Sequence, residues 1–516
     1  MSTRLTIGAA SLGPGWRILL DGLGVAYERI ARWENISPAS HSALLVNAPL
    51  DRTSLAAVEG YLRDGGAVLD TGHFLPRVDR GSFSGRRIRS IAPDPNDTVF
   101  STVGILDIHD TVPAHRRGNH LSGIAHLAPH DGGSVAYLPF DADRLLIESG
   151  AARTAFRTAS GRFPNEIVAR RSRGAIRRAF ERALRWLHFE RGLPYAHRWN
   201  FPGDSEALFC YRIDSDYGTR RQIRELYDAA REHAMRLTWF LHVEAHHDWL
   251  DIFGGFEDQE IAAHGYRHRT FRGEEENHAN IAEAASLLGR AGMAPEGFAA
   301  PNGFWNPRLQ KSIDSLGFLY SSEFSLDYDD LPFHPSVHGI PARALQVPIH
   351  PICIGSLLRA KESAGGMKRY FRDVIDMKLQ QCEPAILYHH PGHGLFDVMA
   401  DSFAYIRELG VPNITMGDYA RWWTRRSAVR FEARWNGDDL DLSFRSHDPE
   451  VRIALHRSDE EYALLDRAGD YDGDALGFRR RIDRGAVIPA EAILARRISV
   501  TRLRHSIEDY NARARQ

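Results

Sequence analysis

His264 and His268 stand four residues apart in His264-Gly265-Tyr266-Arg267-His268, directly after the apolar run Ile261-Ala262-Ala263. At that spacing two imidazoles can lie on one side of a single helical turn and close on one metal ion. The apolar lead-in reads as the end of a buried strand, and strand ends are where an α/β fold tends to place its chemistry. The chain carries 25 histidines, so two solvated side chains outweigh a metal site until a third ligand is found.

Asp214-Ser215-Asp216 offers that ligand. It follows the strand-like run Ala207 to Ile213. Two carboxylates two residues apart repel unless a cation or a proton lies between them. A metal resolves the conflict if one carboxylate binds it and the other stays free as a base. Alone, the same three residues read as a turn or a helix N-cap. A third cluster closes the apolar strand Ala385-Ile386-Leu387-Tyr388, which runs into His389-His390-Pro391-Gly392-His393.

The elements that must position these residues follow from hydropathy. Strand-like runs at 207–213, 237–241, 261–263, 297–300 and 385–388 alternate with helical patterns at 220–233, 280–291, 311–317, 367–381 and 402–409. A strand–helix rhythm with polar residues at successive strand ends predicts a barrel with its site at the C-terminal mouth. Upstream, strands at 5–10, 43–47, 67–70 and 134–138 alternate with helices at 16–23 and 51–64, which predicts a doubly wound parallel sheet. A long amphipathic helix spans 174–191, and residues 192–206 read as a linker. Downstream, Val429 to Trp435 and Leu440 to Phe444 alternate strictly around Asn436-Gly437, and Val451 to Leu455 and Ala492 to Leu503 add strands. That pattern predicts a small antiparallel β-sandwich with a frayed tail at 511–516.

The chain has 516 residues, enough for two to four domains. A net charge of −2 argues for neither nucleic acid nor an anionic membrane as partner. Its three cysteines, Cys210, Cys353 and Cys382, make neither a disulfide framework nor a cysteine-based zinc site. No apolar stretch of about 18 residues occurs, so no membrane span is expected. With no secretory pattern at the N-terminus, a cytoplasmic location is expected.

The order Asp-x-Asp, His-x-x-x-His, Pro-x-Gly and Leu-x-His over residues 205–425 resembles the NodB-homology polysaccharide deacetylases, carbohydrate esterase family 4. The resemblance implies a distorted (β/α) barrel. It also implies Asp214 as catalytic base and Asp216, His264 and His268 as ligands of Zn²⁺ or another divalent transition metal. His389 of Leu387-Tyr388-His389 is the implied general acid, with His390, one residue out of register, as runner-up. The family's Arg-x-Pro-aromatic-Gly motif stands here as Ala299-Ala300-Pro301-Asn302-Gly303, without its arginine. Arg212 or Arg267 is expected to supply that charge, and the Asn302-Gly303 turn to face the substrate, with the Asn302 N–H as an oxyanion donor. The family's fourth, acidic motif has only Asp327-Tyr328-Asp329-Asp330 as a candidate. The implied reaction is metal-dependent hydrolysis of an N-acetyl or other acyl amide on a sugar or polysaccharide. The alternatives are a hydrolase of small non-sugar amides and a metal-retaining pseudoenzyme that binds carbohydrate.

The segment from Asn47 to Gly72 resembles the glutamine-amidotransferase-like, flavodoxin-type domains attached to some carbohydrate-active proteins. That chemistry needs a cysteine nucleophile, and the first cysteine is Cys210, so residues 1–200 are expected to be non-catalytic. The resulting division is 1–200, 205–425 and a sandwich over 426–516.

Overall fold

The computed structural model describes residues 2–79, 82–473 and 476–481. They form two compact units: one takes the described residues up to 148, 173–205 and those from 422 on, the other 149–172 and 206–421. Ala492–Leu503 and the tail 511–516 lie outside the described residues.

The first unit contains a six-stranded sheet. Five parallel strands, Ile7–Ala9, Tyr27–Arg29, Ala43–Val46, Ala67–Asp70 and Gly133–Tyr137, lie in the order 2-1-3-4-5, with His126–His130 antiparallel at one edge. This is one of the doubly wound orders. The helix Arg52–Arg63 is started by a capping box, in which the Asp51 carboxylate accepts from the Ser54 N–H at 2.8 Å. A hairpin of Phe83–Ile91 with Leu106–His115, where the sequence pattern predicts no strand, is also present.

The same unit holds two four-stranded antiparallel sheets around one apolar cluster that includes Leu5, Ala196, Phe431, Leu442, Ile453 and Ala463. The strands 430–435, 439–446 and 453–456 sit close to their expected positions. Each sheet, however, takes an outer strand from the N-terminal segment. Thr3–Arg4 pairs with Arg430–Trp435, and Tyr195–Arg198, inside the expected linker, pairs with Ile453–His456. A strand of two to four residues carries too little periodicity to be legible before its partner is known.

The second unit carries the candidate site. Its sheet is built from β1 (Phe209–Asp214), β2 (Thr238–Leu241), β3 (Glu260–Ala263), β4 (Gly297–Phe298), β5 (Tyr320–Ser321), β6 (Leu345–Gln346) and β7 (Ala385–His389). All seven are parallel, in the order β6-β5-β4-β3-β2-β1-β7. The sheet curls into a half-barrel, and past β6 a backbone bond from His350 N–H to Ile386 O (2.9 Å) reaches β7. Four long helices lie between the strands, α1 (Arg220–Glu232), α2 (Glu274–Arg290), α3 (Pro307–Ser315) and α4 (Ala364–Gln380), and a fifth, α5 (Phe396–Glu408), follows β7. Several extend further than their apolar periodicity, because capping residues outside the stripe start them. Thr219 and Gln222 exchange capping bonds ahead of α1, Asn306 caps α3 with Pro307 at its first position, and Ser363 caps α4.

Side-chain alternation divides the sheet into two layers. Phe209, Tyr211, Ile213, Trp239, Leu241, Ala263, Phe298, Ala385 and Leu387 join helix residues such as Ile223, Leu288, Ile313, Ile375 and Phe403 in one apolar cluster. The residues between them, Arg212, Asp214, Phe240 and Tyr388, face the concave side. There the Arg212 guanidinium carbon lies 4.9 Å from the Phe240 ring centre and 5.7 Å from that of Tyr388. A hairpin of Ala151–Ala155 with Asn165–Ala169 completes the unit, tied to it by Ala169 N–H to Phe324 O (3.0 Å) and Thr158 Oγ1 to Glu362 (2.7 Å).

Candidate metal centre

Asp216, His264 and His268 converge, with one ligand atom from each lying within 4.8 Å of the others. Asp216 Oδ1 is 3.4 Å from His264 Nε2 and 3.1 Å from His268 Nε2. That oxygen is buried and accepts no hydrogen bond. A buried carboxylate oxygen left without a donor, between two imidazole nitrogens, matches the donor set and the electrostatic need of a divalent cation. The Asp216 pKa is pushed far down: burial would raise it, but the neighbouring His264, His268 and His390 rings outweigh burial.

Each ligand is aimed by its backbone setting. β3 ends at Ala263 and delivers His264 to the mouth, where its Nδ1–H donates to the Ala299 carbonyl at 2.8 Å. That bond assigns the proton to Nδ1 and leaves the Nε2 lone pair facing Asp216. The residue standing where the family motif has its arginine thus contributes its carbonyl. Asp216 sits in the left-handed region (φ 40°), which aspartate tolerates better than most residues. Its carbonyl accepts from His242 Nδ1–H at 3.0 Å, and the neighbouring Ser215 Oγ accepts from the His242 N–H (3.0 Å) and lies 2.8 Å from His246 Nε2. Burial lowers the pKa of both His242 and His246 to about 4, so both rings are neutral near pH 7. The three residues pin the loop, and only the fold reveals them, since His242 and His246 follow β2.

Asp214 and Arg212 are paired across one pleat of β1. Arg212 Nε donates to Asp214 Oδ1 at 2.5 Å and Nη2 donates to Oδ2 at 2.7 Å. Nη1 donates to the Ser322 carbonyl at 2.7 Å, and the Arg212 side chain is 0% exposed. Burial would raise the Asp214 pKa, but the guanidinium, helped by His264 and His390, holds it below the usual carboxylate range. Arg267, the other expected source of charge, is exposed, with its backbone N–H on Asn280 Oδ1 at 2.7 Å.

The histidine run does not lie as its motif alignment implies. The β1–β7 register sets Tyr388 opposite Arg212 and His389 opposite Ile213. Tyr388 and His390 therefore face the concave side, while His389 follows Leu387 and Ile213 into the layer beneath the helices. Its ring centre is 6.2 Å from that of Phe396, and neither ring nitrogen has a hydrogen-bond partner. Burial drives its pKa well below the ordinary histidine value. The residue turned toward the carboxylates is His390, whose Nε2 lies 3.5 Å from Asp216 Oδ2 and 3.9 Å from Asp214 Oδ2. Its pKa is raised to about 9: burial opposes this, and Cys353, Asp216 and Asp214 outweigh burial.

Asn302 forms the exposed, left-handed tip (φ 58°) of the turn Pro301–Gly303, and Gly303 (φ 62°) leaves room for the Phe324 ring. Among the described residues neither bonds to Asp214, Asp216, His264 or His268. Asp327 is buried behind this loop, with its N–H on Glu323 O at 3.2 Å.

Glu323 is a buried carboxyl that the motif comparison does not indicate. Its Oε1 accepts from the Ala300 N–H at 3.1 Å, and burial lifts its pKa to about 7. Between roughly pH 4.5 and 7 the folded chain holds a proton that the unfolded chain lacks, so stability falls as pH rises through that window. Glu323→Gln is expected to flatten this slope. Above pH 7 it should be more stable than the parent by about 3 kcal/mol, with no difference below pH 4, as read by urea unfolding across pH. Equal pH dependence in the two chains would show that Glu323 is ionised in the fold.

No family model matches the sequence, and no curated protein does. Solved structures similar to part of the chain include a protein assigned as a polysaccharide deacetylase, from Mycobacterium smegmatis, at 17% identity over 44% of this chain and 93% of that one, with a TM-score of 0.39. An allantoinase aligns at 18% identity over 43% of this chain and 92% of its own, TM-score 0.37. A pseudoenzyme of carbohydrate esterase family 4 from Bacillus anthracis aligns at 13% identity over 43% and 68%, TM-score 0.32. At these levels the likeness assigns no activity.

Proposed function

We propose that the second unit is a metal-dependent hydrolase that removes an N-acetyl or related acyl group from a sugar or polysaccharide. The observation that carries this reading is Asp214, a carboxylate held ionised by Arg212 beside the partly buried Asp216–His264–His268 trio. The motif order along the chain supports the substrate class.

A divalent ion held by Asp216, His264 and His268 supplies Lewis acidity to a water and to the acyl carbonyl. The protein's own groups do the rest. Arg212 keeps Asp214 deprotonated, so Asp214 is the base that takes the proton from the attacking water. His264 is kept in one tautomer by the Ala299 carbonyl. His390 Nε2, on the same concave face as both carboxylates, returns a proton to the departing amine nitrogen, the role that motif alignment gives to His389. The Asn302-Gly303 turn flanks the mouth and is proposed to contact substrate through the Asn302 N–H.

The test is acetate release from N-acetylglucosamine oligomers together with metal analysis of the same preparations. The parent chain is expected to bind metal and release acetate. Asp216→Ala is expected to lose both, whereas Asp214→Asn should keep its metal and lose about 10²- to 10⁴-fold in rate. Metal binding without release from any N-acylated sugar would overturn the substrate class. Full activity of Asp214→Asn would overturn the base.

A further inference from the structure

Beneath the mouth a second set of ligand-type side chains converges. Cys353, His390 and His393 each place one ligand atom within 4.8 Å of the others. Cys353 lies between β6 and the short helix Ile354–Arg359 and is 2% exposed. His390 and His393 come from the turn that follows β7, where the His393 N–H donates to the His390 carbonyl at 3.0 Å and sets both rings on one side.

Two further observations bear on what this cluster is for. The Nδ1 atoms of His390 and His393 are both buried without a hydrogen-bond partner. Two orphaned imidazole nitrogens beside a buried thiol are costly, unless one group satisfies all three. The space is also shaped around the second histidine. A Cβ on Gly355 would fall 2.2 Å from the His393 ring, so glycine there admits the imidazole against the backbone.

We propose that Cys353, His390 and His393 form a second binding site for a divalent metal ion of the zinc type, distinct from the Asp216–His264–His268 centre. One thiolate and two imidazoles make a donor set that favours zinc over magnesium or calcium. His390 joins the two centres. Its Nε2 faces Asp216 Oδ2 at 3.5 Å, which leaves the unpartnered Nδ1 as the atom available to the cysteine cluster. A metal on Nδ1 and the doubly protonated ring that donates to the amine are alternative states of His390, so filling this site withdraws the acid. The site stands on residues other than the Asp216 trio and does not depend on what the substrate is. The competing arrangement is a metal-free ion pair between the Cys353 thiolate and the two histidines.

The test uses the full chain loaded with Co²⁺, read by metal content and by the near-ultraviolet thiolate-to-cobalt charge-transfer band. The parent should bind about two equivalents and show the band. Cys353→Ala and, as a second variant, His393→Gln should each bind one equivalent. The band should vanish in Cys353→Ala, while His268→Ala should lose one equivalent and keep the band. Far-ultraviolet circular dichroism establishes that each variant is folded. A single equivalent without a band in the parent would overturn the proposal in favour of the ion pair. A band that survives Cys353→Ala would belong to Cys210 or Cys382 and would overturn it equally. A band lost in both Cys353→Ala and His268→Ala would mean one shared site.

Discussion

Arg212→Ala is expected to destabilise the second unit by roughly 3–5 kcal/mol, the range for removing one partner of a buried ion pair. The size follows from what is left behind. Asp214 is 3% exposed, and both its oxygens lose their donors, at 2.5 and 2.7 Å. The Ser322 carbonyl loses the Nη1 donor, and the Phe240 and Tyr388 rings lose the planar cation between them. Asp214, stripped of its counter-charge, takes up a proton at higher pH and stops acting as a base, so acyl hydrolysis should fall with stability. Arg212→Lys should recover little, because an ammonium cannot reproduce the two parallel bonds of the fork. The measurements are urea unfolding and acetate release. An alanine variant with parental stability and rate would show that another cation serves Asp214.

Replacing the two adjacent histidines should give opposite results. His390→Ala is expected to lower kcat by about 10²- to 10⁴-fold, the usual contribution of a positioned general acid. His389→Leu is expected to stay near the parental rate. His389 lies beneath the helices with both ring nitrogens unpartnered, so an apolar side chain of similar size suits its surroundings as well or better. Thermal unfolding of His389→Leu should match or exceed the parent. If His389→Leu abolished turnover and His390→Ala did not, the assignment of faces would be reversed.

Much of this site is local in sequence and could be read there. Asp214-Ser215-Asp216 and His264-x-x-x-His268 each set their side chains together within a few residues, and the strands carrying them are apolar runs of ordinary length. The same holds for the helices between them, whose periodicity gives the body and whose capping residues give the start. The missing motif arginine at Ala299 was legible too, and so was Arg212 as a candidate replacement.

What could not be read depends on distant segments meeting. Thr3–Arg4 and Tyr195–Arg198 become strands only through partners more than 250 residues away along the chain. Cys353 looked inert by count and spacing, and it joins His390 and His393 only because β6 and β7 end near one another. The choice between His389 and His390 is the sharpest case. Composition allows either, and the motif alignment favours His389. The pairing of Arg212 with Tyr388 and of Ile213 with His389 turns His390 inward. The sequence by itself determined which elements form and which residue types stand at their ends. Only the tertiary structure decided which of those residues share a face, because side chains alternate every residue along a strand and a one-residue change of register exchanges core for site.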